Sequence, residues 1–155
     1  MGAGTSSLVP ALLTDGRAVV AVDISPAALR QLRDATGDHP ALTTVAADAR
    51  EFVPDVPVDA WHDRAVFHFL VDEQDRAAYV RCVTAGVRHA GHLVIATFAP
   101  HGPATCSGLP VRRHDADQLT ATFAGAFDPV ESATVDHLTP WGAVQPFTHL
   151  LLRRR

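Results

Sequence analysis

The chain has 155 residues, of which 47% are hydrophobic and 19% are charged, and its formal net charge is −4. These values predict one globular domain over residues 1–155 and exclude a disordered chain. The negative charge argues against a nucleic-acid-binding protein held by phosphate contacts, and no apolar run reaches the ~20 residues of a membrane span. The two cysteines lack CxxC spacing and the nine histidines are scattered, so no metal site is expected. We expect a soluble, cytoplasmic protein.

The chain begins with a glycine turn, Gly2-Ala3-Gly4, which has only Met1 ahead of it. Residues 5–7 are all good helix N-caps, and leucines follow them at helical spacing, which predicts a helix that ends at Gly16. Glycines allow a backbone to approach a ligand closely. The motif lacks the third glycine of GxGxxG, however, and a structural turn alone would also explain it.

Strands and helices alternate behind this turn. Continuous apolar runs predict strands that are buried on both faces, as in a parallel sheet. Strands are predicted at 17–23, 42–47, 58–62, 91–98, 130–135 and 147–152, and helices from 25 onward, at 73–87 and at 115–123. This alternation predicts an α/β domain with a largely parallel sheet. The last two strands are expected to form an antiparallel hairpin around the turn at 139–142.

Three acids close predicted strands, at Asp23, Asp48 and Asp63. Ligands of parallel sheets bind beyond the carboxyl ends of the strands. Asp23 lies nineteen positions after Gly4, which is close to the spacing of the acid that binds ribose hydroxyls in dinucleotide folds. An acid at a strand end is otherwise often a helix cap, but the pattern favours a nucleoside-type ligand.

Five segments occur in the order and spacing of class I S-adenosylmethionine-dependent methyltransferases, namely GAGTSSL, VAVDISPAAL, AADAREF, VDAWHDRAVFHFL and AGHLVIATF. The chain resembles this family from Gly2 to about Leu152, and it looks closest to a branch of small bacterial members with WHDRAVFHFL and late TPWG and QPFT segments. The resemblance implies a Rossmann-like three-layer α/β sandwich, mostly parallel with an antiparallel C-terminal hairpin. It also implies S-adenosylmethionine as the cofactor. Family members have a strand ahead of the glycine turn, so we expect the first strand to be missing and the chain to be N-terminally truncated.

The resemblance also assigns roles to individual residues. Gly2, Ala3 and Gly4 would pass close to the methionine part of the cofactor, and Asp23 would hold both ribose hydroxyls. The remaining contacts would come from Ile24 beside the adenine, Asp48 at its amino group, Ala49 in the same slot, and Asp63 and Arg64 at the amino-acid end or the substrate cleft.

His68 is the candidate catalytic residue, because an unperturbed imidazole with a pKa of about 6.5 can act as a general base. A packed histidine with one hydrogen bond is the alternative interpretation of this residue. The segment Arg112-Arg113-His114 could bind an anionic acceptor or form a solvated turn. Trp61, Phe67 and Phe69 could line the cofactor slot or belong to the core.

The sequence thus predicts a methyltransferase that acts on a small molecule or a protein side chain by in-line displacement. Two alternatives remain. One is a truncated or degenerate domain without catalysis, because the missing strand would leave inner sheet edges unpaired. The other is an NAD-dependent oxidoreductase, because methyltransferases and these oxidoreductases both have a GxG turn and a strand-end acid. The second acid at Asp48 argues against this alternative.

Overall fold

A computed structural model describes residues 1–155. The chain separates into two compact units, Met1–Phe52 (unit one) and Val53–Arg155 (unit two). A single functional domain over 1–155 stays a prediction.

Unit one consists of two helices and two strands: α1 (Leu8–Thr14), β1 (Val19–Asp23), α2 (Pro26–Thr36) and β2 (Leu42–Ala46). The two strands pair in parallel, with Val19 opposite Leu42 and Asp23 opposite Ala46. A parallel pair requires a crossover connection, which α2 supplies. No strand precedes α1 within residues 1–7.

Helix α2 has clear start and stop signals. The hydroxyl of Ser25 accepts a hydrogen bond from the N–H of Ala28 at 3.3 Å, and Pro26 occupies the first helical position. Gly37 ends the helix in the left-handed conformation, at φ 64°. The buried core of unit one consists of Val9, Leu13, Ala21, Leu29 and Leu32.

Unit two begins with β3 (Val58–Arg64), a 3-10 turn (Phe67–Phe69), α3 (Glu73–Gly86) and β4 (Val87–Phe98). It continues with β5 (Thr105–Cys106), β6 (Leu109–Pro110), α4 (Ala116–Phe123), β7 (Phe127–Leu138) and β8 (Val144–Arg154). The main sheet has the strand order β3-β4-β8-β7, in which β3 and β4 are parallel and the other pairs are antiparallel. The prediction of an α/β fold with an antiparallel C-terminal hairpin is therefore confirmed, and the sheet is mixed.

The register of this sheet brings several chain segments to one edge. Arg64 lies opposite Ala96 near the carboxyl ends of β3 and β4, and Phe98 lies opposite Phe147 near the start of β8. The N–H of Ala99 donates to the carbonyl of Pro146 at 2.9 Å. We call this side the carboxyl edge of unit two.

Several strands are longer than predicted. Strand β4 begins at Val87, directly after α3. Its pairing with β3 is irregular between Val58 and Ala60, and Ala90 in this part of β4 has a positive φ of 60°. The β5–β6 hairpin was not predicted, since each of its strands has only two residues. No helix has the combination of length and apolar character that crossing a bilayer requires.

Gly86 sits where a side chain has no room. A Cβ at this position would lie 2.7 Å from Cζ3 of Trp61 and 2.9 Å from Cδ of Pro54. We expect Gly86→Ala to destabilise the protein by about 1–3 kcal/mol, because the indole and the pyrrolidine would have to shift. Thermal denaturation measures this loss. Gly125→Ala is the matched control, since nothing lies within 4 Å of its Cβ position, and equal midpoints for the two variants would contradict the prediction.

Candidate functional site

The glycine turn of unit one lies against the carboxyl end of β1. Gly2 and Gly4 have positive φ angles of 60° and 49°, which favour glycine. The N–H of Ala3 donates to the carbonyl of Val22 at 3.0 Å, and the N–H of Gly4 donates to Oδ2 of Asp23 at 2.8 Å. The turn and the strand-end acid therefore form one connected structure.

Asp23 keeps capacity for a ligand. Its Oδ1 accepts the N–H of Ser25 at 2.8 Å, and its Oδ2 accepts the N–H of Gly4. The side chain is half-buried. A carboxylate oxygen offers two lone pairs, so each oxygen can accept one further donor. The next residue, Ile24, is 75% exposed, which leaves an apolar surface beside the acid.

Asp48 follows β2 at the same edge of the parallel pair. The N–H of Ala47 donates to the carbonyl of Asp23 at 3.1 Å, which ties the two strand ends together. Oδ1 of Asp48 accepts from the N–H and Nε of Arg50, at 2.8 and 2.9 Å, and Oδ2 accepts from Nη2 at 2.6 Å. These bonds from Arg50 hold the pKa of Asp48 below its usual value. A ligand would share this carboxylate with Arg50, a partner that the sequence analysis missed.

The structure thus brings the predicted residues of unit one to one edge: Gly2, Ala3, Gly4, Asp23, Ile24, Asp48 and Ala49. A separate surface concavity of about 630 Å³ lies along α2, and none of these residues lines it. It is bounded by exposed side chains of α2 and by exposed Asp38 just after that helix, and it has no part in the candidate site.

Asp63 of unit two is fully buried, with 0% exposure. Its Oδ2 accepts the hydroxyl of Tyr79 at 2.5 Å, and its Oδ1 accepts the N–H groups of Val66 and Phe67 at 2.9 and 3.4 Å. Burial raises the pKa of this carboxyl above its usual value. The structure therefore places Asp63 inside unit two, where it orders the turn after β3. A direct bond to a ligand would require these contacts to break.

Arg64, in contrast, is exposed at the carboxyl edge of unit two. Its guanidinium lies over the ring of Phe147, with 5.2 Å between Cζ and the ring centroid. Such cation–π contacts contribute about 0.5–1 kcal/mol at exposed sites. The contact holds the Arg64 side chain at the carboxyl edge of unit two.

His68 and His114 are the most unusual side chains of unit two. They are 0% and 2% exposed, and none of their four ring nitrogens has a hydrogen-bond partner. Burial lowers the pKa of each to about 4, and the positive charges of Arg112 and Arg76 act in the same direction on His114. Both imidazoles are thus neutral near pH 7. Neither has the single hydrogen bond of a satisfied packed histidine, the alternative interpretation for His68.

The segment that precedes α4 covers this pair. The N–H of Arg112 donates to the carbonyl of His68 at 2.7 Å, and the N–H of His114 donates to the carbonyl of Phe98 at 3.0 Å. Aromatic rings surround the two imidazoles, with Phe69 and Phe98 at 4.6 and 4.8 Å from His68. Trp61 and Phe67 are core residues of this unit.

Comparison with family models gives one match, to the methyltransferase domain family, over residues 1–95. A comparison with curated protein sequences gave no match. The family match covers the glycine turn, all three strand-end acids and His68.

Solved structures share the fold. The N-methyltransferase NodS from Bradyrhizobium japonicum WM9 superposes with a TM-score of 0.80 at 18% identity, over 99% of this chain and 82% of that one. The 1,6-didemethyltoxoflavin-N1-methyltransferase from Burkholderia thailandensis, crystallised with S-adenosylhomocysteine, gives 0.80 at 23% identity, over 99% and 68%. A methyltransferase from Methanosarcina mazei gives 0.81 at 12% identity, over 99% and 89%. The fold is therefore the Rossmann-like α/β fold of these proteins.

Proposed function

The chain belongs to the methyltransferase domain family, and we propose that it transfers a methyl group from S-adenosylmethionine to a small-molecule or protein acceptor. One observation carries the proposal. The glycine turn is hydrogen-bonded to the carboxylate of Asp23, so backbone without bulky side chains lies directly beside the strand-end acid. Neither the family match nor the solved structures of the same fold support the two alternatives, a non-catalytic domain and an NAD-dependent oxidoreductase.

The residues of unit one fit this cofactor. The turn at Gly2-Ala3-Gly4 offers backbone without bulky side chains for the methionine part. Asp23 has one free acceptor position on each oxygen for two ribose hydroxyls. Ile24 offers an exposed apolar surface for a flat base. Asp48 and Ala49 would hold the other side of the base, with Arg50 orienting the Asp48 carboxylate.

The sulfonium group of this cofactor supplies a methyl group that is already activated. The protein therefore has to hold the acceptor in line with the methyl carbon and keep water away. Orientation of this kind contributes up to about 7–11 kcal/mol in favourable intramolecular models. This explains why the sequence identifies the cofactor more readily than the acceptor.

We propose that unit two binds the methyl acceptor. Arg64 is exposed at the carboxyl edge and carries a charge that can hold an anionic group. His68 is neutral near pH 7 and 0% exposed, so its ring could accept a hydrogen bond from an N–H or O–H nucleophile only if the covering segment at Arg112 moved aside. Because its pKa is about 4, it would not retain the proton at neutral pH. Asp63 contributes indirectly, by ordering the turn that bears His68. A cytoplasmic location stays a prediction.

A methyl-transfer assay tests the proposal. The protein is incubated with methyl-labelled S-adenosylmethionine and a cell extract, and label is counted separately in the small-molecule and protein fractions. We expect enzyme-dependent label in one fraction and its loss in Asp23→Asn. Label in neither fraction, or equal label with and without the enzyme, would contradict the proposed activity.

A further inference from the structure

Three buried side chains form a hydrogen-bonded chain inside unit two. Nε1–H of Trp61 donates to the hydroxyl of Tyr79 at 3.1 Å, and that hydroxyl donates to Oδ2 of Asp63 at 2.5 Å. Trp61 is 4% exposed, and the other two are fully buried. A buried carboxylate is stable only when its oxygens are hydrogen-bonded, so Tyr79 supplies a bond that Asp63 needs.

The other oxygen of Asp63 holds a strained turn. Ala65 has a φ of 66°, a left-handed conformation that costs roughly 1–2 kcal/mol in a residue with a side chain. Oδ1 of Asp63 accepts the N–H groups of the next two residues, Val66 and Phe67. On the other side, the N–H of Ala65 donates to the carbonyl of Ala96 at 2.9 Å. Such strain persists only where surrounding bonds impose it, and it clusters at functional sites.

This turn leads directly into the 3-10 turn that carries His68. Phe67, whose N–H is bonded to Asp63, precedes His68 and packs against the ring of Tyr79, with 5.1 Å between the centroids. The His68 ring is buried without a hydrogen bond of its own. Its place is therefore set by the backbone that bears it and by the rings around it.

We propose that Tyr79 is a positioning residue for His68, because through Asp63 it fixes the left-handed turn that determines where the imidazole lies. The inference rests on the proposed function, in which His68 serves the methyl acceptor. It adds a residue on α3 that touches neither cofactor nor acceptor and whose hydroxyl, rather than its ring, matters.

The competing interpretation is that Tyr79 only fills the core. In that case, removal of its hydroxyl lowers stability and leaves the His68 imidazole unchanged. In the positioning role, loss of the hydroxyl loosens the turn, water reaches the imidazole, and its protonation midpoint rises. The two interpretations therefore predict different protonation midpoints for the His68 imidazole, a quantity that stability measurements do not report.

The test is NMR of the protein with 15N-labelled histidine, titrated with acid, in the wild type and in Tyr79→Phe. A His68→Gln variant assigns the His68 signals. We expect Tyr79→Phe to shift these signals and to raise the midpoint by about one pH unit or more. Val83→Ala is the matched control, since Val83 is fully buried one turn along the same helix and lies outside the hydrogen-bonded chain.

Unchanged His68 signals in Tyr79→Phe, or the same change in Val83→Ala, would overturn the positioning role. Asp63→Asn gives a second readout, because its amide oxygen still accepts the two backbone N–H groups, whereas Asp63→Ala does not. We expect a smaller His68 shift in Asp63→Asn than in Asp63→Ala, and equal shifts would count against the proposal. Titration of the wild type with S-adenosylhomocysteine tests the proposed function separately, since the His68 signals are read without any ligand.

Discussion

Asp23→Asn is expected to weaken binding of S-adenosylhomocysteine roughly 30- to 100-fold, which corresponds to about 2–3 kcal/mol. Two effects combine. The negative charge that would strengthen bonds from two ribose hydroxyls is lost. The amide nitrogen also cannot accept a hydrogen bond, so either Gly4 or Ser25 loses the acceptor for its N–H group.

Calorimetric titration of the variant and the wild type measures this loss. Asp34→Asn is the matched control, because Asp34 is an exposed acid on α2 and the substitution removes the same charge. We expect its affinity to remain within about twofold of the wild type. If both variants bind with the same affinity, the assignment of Asp23 to the cofactor is wrong.

The second large effect is a loss of stability in acid that originates at His68 and His114. Each has a folded-state pKa of about 4 against an ordinary value of 6.5. The unfolded chain therefore binds more protons between these values, and stability falls as pH falls. The stabilisation is fully present above the unfolded value and is lost progressively as pH falls toward the folded value. Between pH 7 and pH 5 the loss is roughly 2 kcal/mol for each histidine.

Other groups modify this dependence. Burial also lowers the pKa of half-buried His149, which adds a loss of the same sign. The raised pKa of Asp63 acts in the opposite direction, because its protonation in acid relieves the burial of a charge. Asp48, with a lowered pKa, loses its stabilisation only in stronger acid.

Urea denaturation at pH 7 and pH 5 measures the combined effect. We expect His68→Gln with His114→Gln to reduce the difference between the two pH values by about 4 kcal/mol, whatever the substitutions do to stability at pH 7. His89→Gln is the control, since His89 is exposed, and it should leave the difference unchanged. A double variant with the wild-type pH dependence would show that these two histidines do not carry the effect.

Local sequence signals account for most of the fold. The apolar run that ends at Asp23 predicted β1, and Ser25-Pro26 with Gly37 bounds α2 as capping rules expect. The hairpin of β7 and β8 was predicted as two shorter strands. Alternation cannot define the ends of β7, because nearly all its side chains are exposed.

The same distinction between local and long-range features applies to the candidate site. Asp23 and Asp48 could be found because strand ends and spacing are local features. The environment of Asp63 could not, since it depends on Tyr79, sixteen positions away on another element. Similarly, nothing in the sequence around His68 indicates that both ring nitrogens lack partners, because that depends on Phe98 and the segment at Arg112. Arg50 was detectable in principle, two positions after the acid that it binds.

We propose that unit one holds S-adenosylmethionine through the glycine turn and Asp23. The most direct measurement is calorimetric titration of this chain with S-adenosylhomocysteine and, separately, with NAD. We expect saturable binding of S-adenosylhomocysteine with one site per chain and no binding of NAD. Binding of NAD alone would contradict it.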